Sequence, residues 1–499
     1  MTKGNNLTCE VFFSQLRKSD SLWSAIAWIA AYIVQHERTA SPNKEIGHLP
    51  FKQWKNNSTG IDFQRRINHI FSVLSSHSVN KKQARTFAEH WIDLASGDIS
   101  NLINLCRSTL IELDTSTDPA YNENLPGAQR IAPLNSPSDG SNILVIPRMN
   151  TSLQSDYLAR MRVRRGRNLQ ISNPDSMLSQ LKNYMFIPIS ALHSREIEII
   201  HYSTPQIMEY CRNGLRISIA PIARERWFNA LMSAEEETFT ISYPDQDLND
   251  RVNDLICDII QREAEDGSNV VIFPELVMNS DTVQCVKQFL LRNDMIKDNV
   301  FLILLGTCWS NYRNEGCALS GSGTELFRCQ KQTRHEFYNS EDGITYIEQL
   351  DDSNKTLSLL DVPTIGRIGW RICRDFLNPD LNYTYQALDT SMEIVSCFSN
   401  RLCEMYSTAE ANVQLTGTIS IVVNKCIQDK TSAKAYHGFC CVPRIDSNRT
   451  IHPNPLHFDL CGVCDVEKCC YSRCAHHFTI SRDIDFIETG RWYEKDEIN

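Results

Sequence analysis

The sequence predicts an α/β fold for the second half of the chain and a mainly helical domain ahead of it. Three observations carry that prediction. Asn269–Phe273 (NVVIF) is an apolar run of strand length, and Ile365, Ile368, Trp370 and Ile372 make a second run of β-branched and bulky residues. Just ahead of the first run, Leu248, Val252, Leu255, Ile256, Ile259 and Ile260 recur at helical spacing on one face. Within residues 1–113, Ile67, Ile70, Phe71 and Leu74 mark one helical face, and Phe87, Trp91 and Leu94 mark another. At 499 residues and 42% apolar, the chain has material for two or more domains with sizeable cores.

Three strand ends carry residues able to do chemistry. Cys373 stands where the run ending at Ile372 gives way to Arg374–Asn378, residues suited to a turn opening a helix. A thiol there clears the sheet edge, and the free N–H groups of a helix start favour its thiolate. The competing reading is a core cysteine, since free Cys is among the most buried residue types. Glu275 follows Pro274 at the end of the first run, and a carboxylate in that place either caps the next turn or serves a site at the sheet edge. Lys331 lies in Phe327–Glu336 (FRCQKQTRHE) after an expected strand, where a lone lysine is ordinarily a solvated charge.

In the order Glu, Lys, Cys, with Pro-Glu after one strand and Cys-x-Asp after another, the three resemble the nitrilase superfamily, the carbon–nitrogen hydrolases. The resemblance covers about half the chain. Leu215–Ala220 looks like the opening strand, Leu248–Ala264 like the first helix and Val300–Gly306 like the next strand. Thr418–Asn424 with Lys425 is similar to the strand the family ends in an Asn-Arg pair. Tyr436–Arg449 is similar to the following hairpin, with His437, Gly438 and Phe439 where the family more often has Gly-Gly-Ser, and His476–Asp485 would be the closing strand.

The resemblance implies a four-layer α-β-β-α sandwich over 213–485, pairing as a homodimer or higher oligomer. It implies that Cys373 attacks an amide or nitrile carbon to give a thioester or thioimidate, that Glu275 shuttles protons, and that Lys331 and a backbone N–H near Arg374 hold the oxyanion. A second acid downstream of the lysine would be Glu336 or Glu341. Trp309, Tyr312, His335, Arg371 and Phe398 are candidate pocket residues. No metal or organic cofactor is required, and the substrate class is a small amide, carbamoyl compound or nitrile.

The rest of the chain sets boundaries. A net charge of −10 gives no general reason to expect nucleic acid, and the polar Met1–Glu10 predicts no secretory signal. Leu22–Val34 is shorter than the roughly 20 residues that span a bilayer, and reads as a core helix rather than a membrane segment. Nineteen scattered cysteines in a chain of this size predict a reduced, cytoplasmic protein. Thr115–Ser141 reads as a linker, so the expected division is 1–113 helical, 114–212 connecting, 213–485 hydrolase and 486–499 tail.

Two clusters fall outside this frame. Arg160–Arg167 (RMRVRRGR) is either a solvated basic face or a phosphate-contacting patch through Arg162, Arg164, Arg165 and Arg167. Cys461–His477 offers Cys461, Cys464, Cys469 and Cys474, with Cys470, His476 and His477, as zinc ligands, or else a reactive or redox cluster, or an unligated reduced loop. Three functions stay open: a hydrolase acting through the triad, a catalytically silent scaffold, and an effector or subunit of a larger, defence-related and nucleic-acid-associated complex. In the third, the N-terminal region recruits a protein or nucleic acid partner.

Overall fold

A computed structural model of the chain describes residues 8–39, 54–73, 81–116, 127–147, 184–204, 214–243, 246–351, 355–363, 365–400, 402–426, 436–445, 451–459, 475–480 and 486–488, with 181, 207 and 353. The Arg160–Arg167 run and Cys461, Cys464, Cys469, Cys470 and Cys474 lie outside the described residues. The chain divides into two units, the second taking up 127–131 and the described residues from Arg195 onward.

The first unit contains helices α1 (Cys9–Lys18), α2 (Leu22–Thr39), α3 (Ser58–Val73), α4 (Lys81–Ser96) and α5 (Leu102–Ser116). Helix α2 is apolar on nearly every side, and Ala25, Ile26, Ala27, Ile29, Ala30 and Ile33 have no exposed surface. The Leu22–Val34 run is therefore the centre of this unit's core, and among the described residues no helix is long and apolar enough to cross a membrane. Numbering strands along the chain, β1 (Gly127–Ile131) belongs to the second unit, while β2 (Ile143–Pro147) and β3 (Tyr184–Pro188) pair antiparallel in the first. Ile143, Val145 and Tyr184 enter the helices' apolar cluster.

Among the described residues, the second unit holds three sheets. The strands in chain order are β4 (Glu196–Ser203), β5 (Leu215–Ile219), β6 (Asn229–Ser233), β7 (Thr238–Ser242), β8 (Val270–Ile272), β9 (Leu302–Ser310), β10 (Arg313–Leu319) and β11 (Glu325–Gln330). Then come β12 (Glu336–Asn339), β13 (Ile344–Glu348), β14 (Thr356–Val362), β15 (Gly366–Ile372), β16 (Met392–Ser396), β17 (Ile419–Val423), β18 (Tyr436–Ile445), β19 (Ile451–Asp459), β20 (His476–Ile480) and β21 (Phe486–Glu488). One sheet runs β1-β4-β14-β15-β16-β17-β18-β19, a second β11-β10-β9-β8-β5-β20-β21, and a third β12-β13-β7-β6. Strand β4 lies ahead of Asn213, where the sequence places the start of this domain, because it pairs parallel with β14.

Period-two alternation makes the core. Ile217, Ile272, Leu302 and Leu304 of one sheet and Leu360, Ile368, Trp370, Ile394 and Ile421 of the other form one buried cluster. On the far side, helices α6 (Gln246–Glu265), α7 (Thr282–Leu290) and α8 (Asp294–Asn299) supply Val252, Ile256, Ile260, Val286 and Ile296 to a second cluster with Val271 and Ile303. Helices α9 (Pro379–Ala387) and α10 (Cys403–Thr416) follow β15 and β16.

Candidate active site

The turn after β8 delivers Glu275. Leu276 takes a left-handed φ of 60°, and its N–H donates to Thr307 Oγ1 at 2.9 Å, folding the turn against β9. Gly306 makes this approach possible, since a Cβ there would stand 2.0 Å from the Pro274 carbonyl oxygen.

Lys331 follows β11, and its N–H donates to the Asn314 carbonyl at 2.9 Å. The next two residues are clamped by Asp375, whose Oδ1 accepts from Gln332 N–H at 3.0 Å and Thr333 N–H at 2.7 Å. Burial pushes the Asp375 carboxyl up to about 6, against the pull of those donors and of Lys331.

Cys373 opens the turn after β15 at φ 47°, a left-handed conformation uncommon for a residue with a Cβ. The segment behind it is a five-residue 3₁₀ turn, and α9 starts only at Pro379. Trp370 of β15 donates from Nε1 to Ser396 Oγ at 3.1 Å, and that hydroxyl donates to the Phe273 carbonyl at 2.8 Å. The ends of β15, β16 and β8 are thereby tied together across the two sheets.

The three sequence candidates meet. Lys331 Nζ lies 2.9 Å from Glu275 Oε1 and 2.7 Å from Glu348 Oε2, and the Glu275 carboxylate is near enough to Cys373 to act on its thiol. Glu275, Lys331, Glu348 and Cys373 are 2%, 3%, 2% and 5% exposed. Asn314 Nδ2 donates to Glu275 Oε1 at 2.8 Å, and His335 N–H donates to Glu348 Oε2 at 3.0 Å. Burial raises the Glu275 carboxyl, and Glu348 adds to it against the opposing pull of Lys331. For Lys331, burial works against the ammonium, but Glu275 and Glu348 outweigh it and hold the group well above its ordinary value.

Several expectations change. The Cys373 thiol is pushed up, first by burial and then by the Glu275 carboxylate, where the sequence reading expected a lowered thiolate; Lys331 and a backbone hydrogen bond from Phe398 oppose the rise. Glu336 and Glu341 are exposed, while the acid that reaches Lys331 is Glu348, carried back by the β12–β13 hairpin. Strand β13 buries Tyr346 and Glu348 on one side, a period-two signal present in ITYIE. Arg374 directly follows Cys373 with its side chain half-buried.

Among the pocket candidates, Trp309 joins Phe239, Leu276, Tyr346 and Leu350 in an apolar cluster that Phe398 borders. His335 is half-buried and its imidazole is pushed down to about 4 by burial and Lys331. Tyr312 is 51% exposed. Arg371 is buried against Tyr385 with its guanidinium on Glu393, 3.0 Å away, and so is a packing residue.

No family model matches the sequence, and no curated protein does. Solved structures do show similarity. Nit3 of Saccharomyces cerevisiae, a member of branch 10 of the nitrilase superfamily, is 15% identical over 49% of this chain and 90% of that one, with a TM-score of 0.31. The C. elegans NitFhit protein is 11% identical over 49% of this chain and 61% of that one, with a TM-score of 0.32. An amidase from Nesterenkonia sp. is 13% identical over 50% and 90%, with a TM-score of 0.29. Each of these matches spans about half of this chain.

Proposed function

We propose that the second unit is a four-layer α-β-β-α carbon–nitrogen hydrolase that cleaves an amide, carbamoyl or nitrile group through Cys373, Glu275 and Lys331. The observation that carries this reading is a buried thiol beside a carboxylate that shares one ammonium with a second carboxylate. A buried charge cluster with two acids on one base is costly as structure alone, and is what proton transfer beside a nucleophile requires.

In this mechanism Cys373 Sγ bonds to the substrate carbon as its proton passes to Glu275. The displaced electron pair goes to the substrate oxygen, or to nitrogen in a nitrile, where Lys331 and the backbone N–H of Arg374 receive it. For an amide, collapse breaks the carbon–nitrogen bond and Glu275 protonates the leaving amine. Water, deprotonated by Glu275, then cleaves the thioester and returns the thiol. Glu348 keeps the Lys331 ammonium charged and aimed, the role expected of Glu336 or Glu341. The two-sheet core and the helices on the far side of β8 and β9 support the layered arrangement, and pairing through a two-fold axis belongs to the same reading.

The test is a panel of short amides, ureides and nitriles incubated with the full-length protein, with intact mass read during turnover. An acyl adduct confined to Cys373 and absent from Cys373→Ala supports the proposal. Turnover that survives Cys373→Ala overturns it, and light scattering of a strictly monomeric active protein would remove the pairing.

A further inference from the structure

Away from these residues, α6 ends against β5 and β20, and three metal-ligand side chains from neighbouring segments converge. They are Glu263 in the last turn of α6, Asp266 just beyond it, and His477 on β20, in register with Ser218 of β5. Their ligand atoms all lie within 4.8 Å of one another. His477 Nδ1 is 3.1 Å from Glu263 Oε2 and 3.0 Å from Ser218 Oγ, and Ser268 Oγ bonds to the same hydroxyl.

The second observation is the state of Glu263. It is 1% exposed, and although Ser218 is near enough to ease its charge, neither carboxylate oxygen completes a hydrogen bond. A buried carboxylate left in this way costs free energy that a bound cation would recover. The 3.1 Å spacing of imidazole nitrogen and carboxylate oxygen is close to the ~3.4 Å between two ligands of a tetrahedral ion with bonds of about 2.1 Å. Arg262 offsets part of the Glu263 charge, and Arg216 donates to the Asp266 backbone carbonyl.

We propose that Glu263, Asp266 and His477 bind a divalent transition-metal ion through nitrogen and oxygen ligands, clipping the end of α6 to β5 and β20. Of the described residues the sequence offered as zinc ligands, His476 and His477, it is His477 that enters this site, and its ligands are nitrogen and oxygen. Mn²⁺ is the discriminating probe, because it favours oxygen and nitrogen donors over thiolates.

Chelator-stripped full-length protein titrated with Mn²⁺, with free ion read by electron paramagnetic resonance, should bind one Mn²⁺ per chain and gain melting temperature. Glu263→Gln and His477→Ala should each weaken binding at least tenfold, and Cys464→Ser should bind as the wild type does. The proposal is overturned by a wild-type protein that binds no Mn²⁺ at millimolar concentration, by both variants retaining binding, or by loss of binding in Cys464→Ser. Circular dichroism of the metal-free variants checks their fold, and the wild-type titration decides the matter if a variant does not fold.

Discussion

Two buried charge clusters in the second unit use similar residues to opposite ends. Asp361 on β14 and Arg367 on β15 face each other across the ladder, fork to fork, with Nε–Oδ1 at 2.7 Å and Nη2–Oδ2 at 2.9 Å, while Nη1 donates to the Leu388 carbonyl at 2.6 Å. Each carboxylate oxygen has its own donor, and nothing is left to exchange. The Glu275–Lys331–Glu348 cluster is built with a deficit. Two acids share one ammonium, a thiol leans on one of them, and Asn314 Oδ1 and His335 Nδ1 are buried without a hydrogen-bond partner. Saturation holds strands together, whereas a cluster short of donors leaves a carboxylate able to take a proton beside the Cys373 thiol.

Variants can break or sharpen this contrast. Cys373→Ala should lower turnover at least ~10³-fold with the melting transition nearly unmoved, since the nucleophile is lost and little packing goes with it. Asp361→Asn should cost ~3–5 kcal/mol in urea unfolding because it leaves a buried guanidinium short of its counter-charge. Glu275→Gln should change stability by no more than about 1 kcal/mol, since it leaves one acid to one ammonium. Equal costs for these two would erase the distinction drawn between the clusters. Glu348→Gln should reduce kcat by ~10²-fold while the fold persists, measured against the same substrate.

A pH series gives a smaller, signed effect. Burial raises Asp375 from 3.8 to about 6, so the folded state holds that proton longer than the unfolded chain does. Its contribution is then favourable below pH 4 and is lost as pH rises to about 6, a fall of ~3 kcal/mol. Asp375→Asn should lack this slope, so the wild-type minus variant difference in urea stability should decline across that window. Glu336→Gln and Glu341→Gln sit at the bottom of the scale, within ~0.5 kcal/mol and without effect on turnover, because both side chains are exposed.

What was legible in the sequence follows from range. The helical face from Leu248 to Ile260 and the strands ending at Phe273 and Ile372 announce themselves by local periodicity, and they set Glu275 and Cys373 at strand ends. Glu348 was missed because it is brought to Lys331 by a hairpin whose length no local pattern fixes, although its alternation with Tyr346 marked it as inward. The Cys373 thiol was misjudged for a related reason: a helix start was visible, but the burial that raises the thiol, and the Glu275 carboxylate that adds to it from another sheet, are set by distant parts of the chain. Arg371 looked like a pocket residue by its place near the nucleophile, and only the packing of Tyr385 and Glu393 shows it to be internal.

The central claim is that Glu275 takes the proton of Cys373. Peptide mass spectrometry after brief, substoichiometric iodoacetamide, with labelling of Cys373 normalised to the exposed Cys403, tests it most directly. Wild-type protein should label Cys373 well ahead of buried cysteines such as Cys397 and Cys440, and Glu275→Gln should cut Cys373 labelling at least tenfold while leaving Cys403 unchanged. Labelling of Cys373 that is indifferent to Glu275→Gln, or a wild-type Cys373 no more reactive than Cys397, would contradict the account.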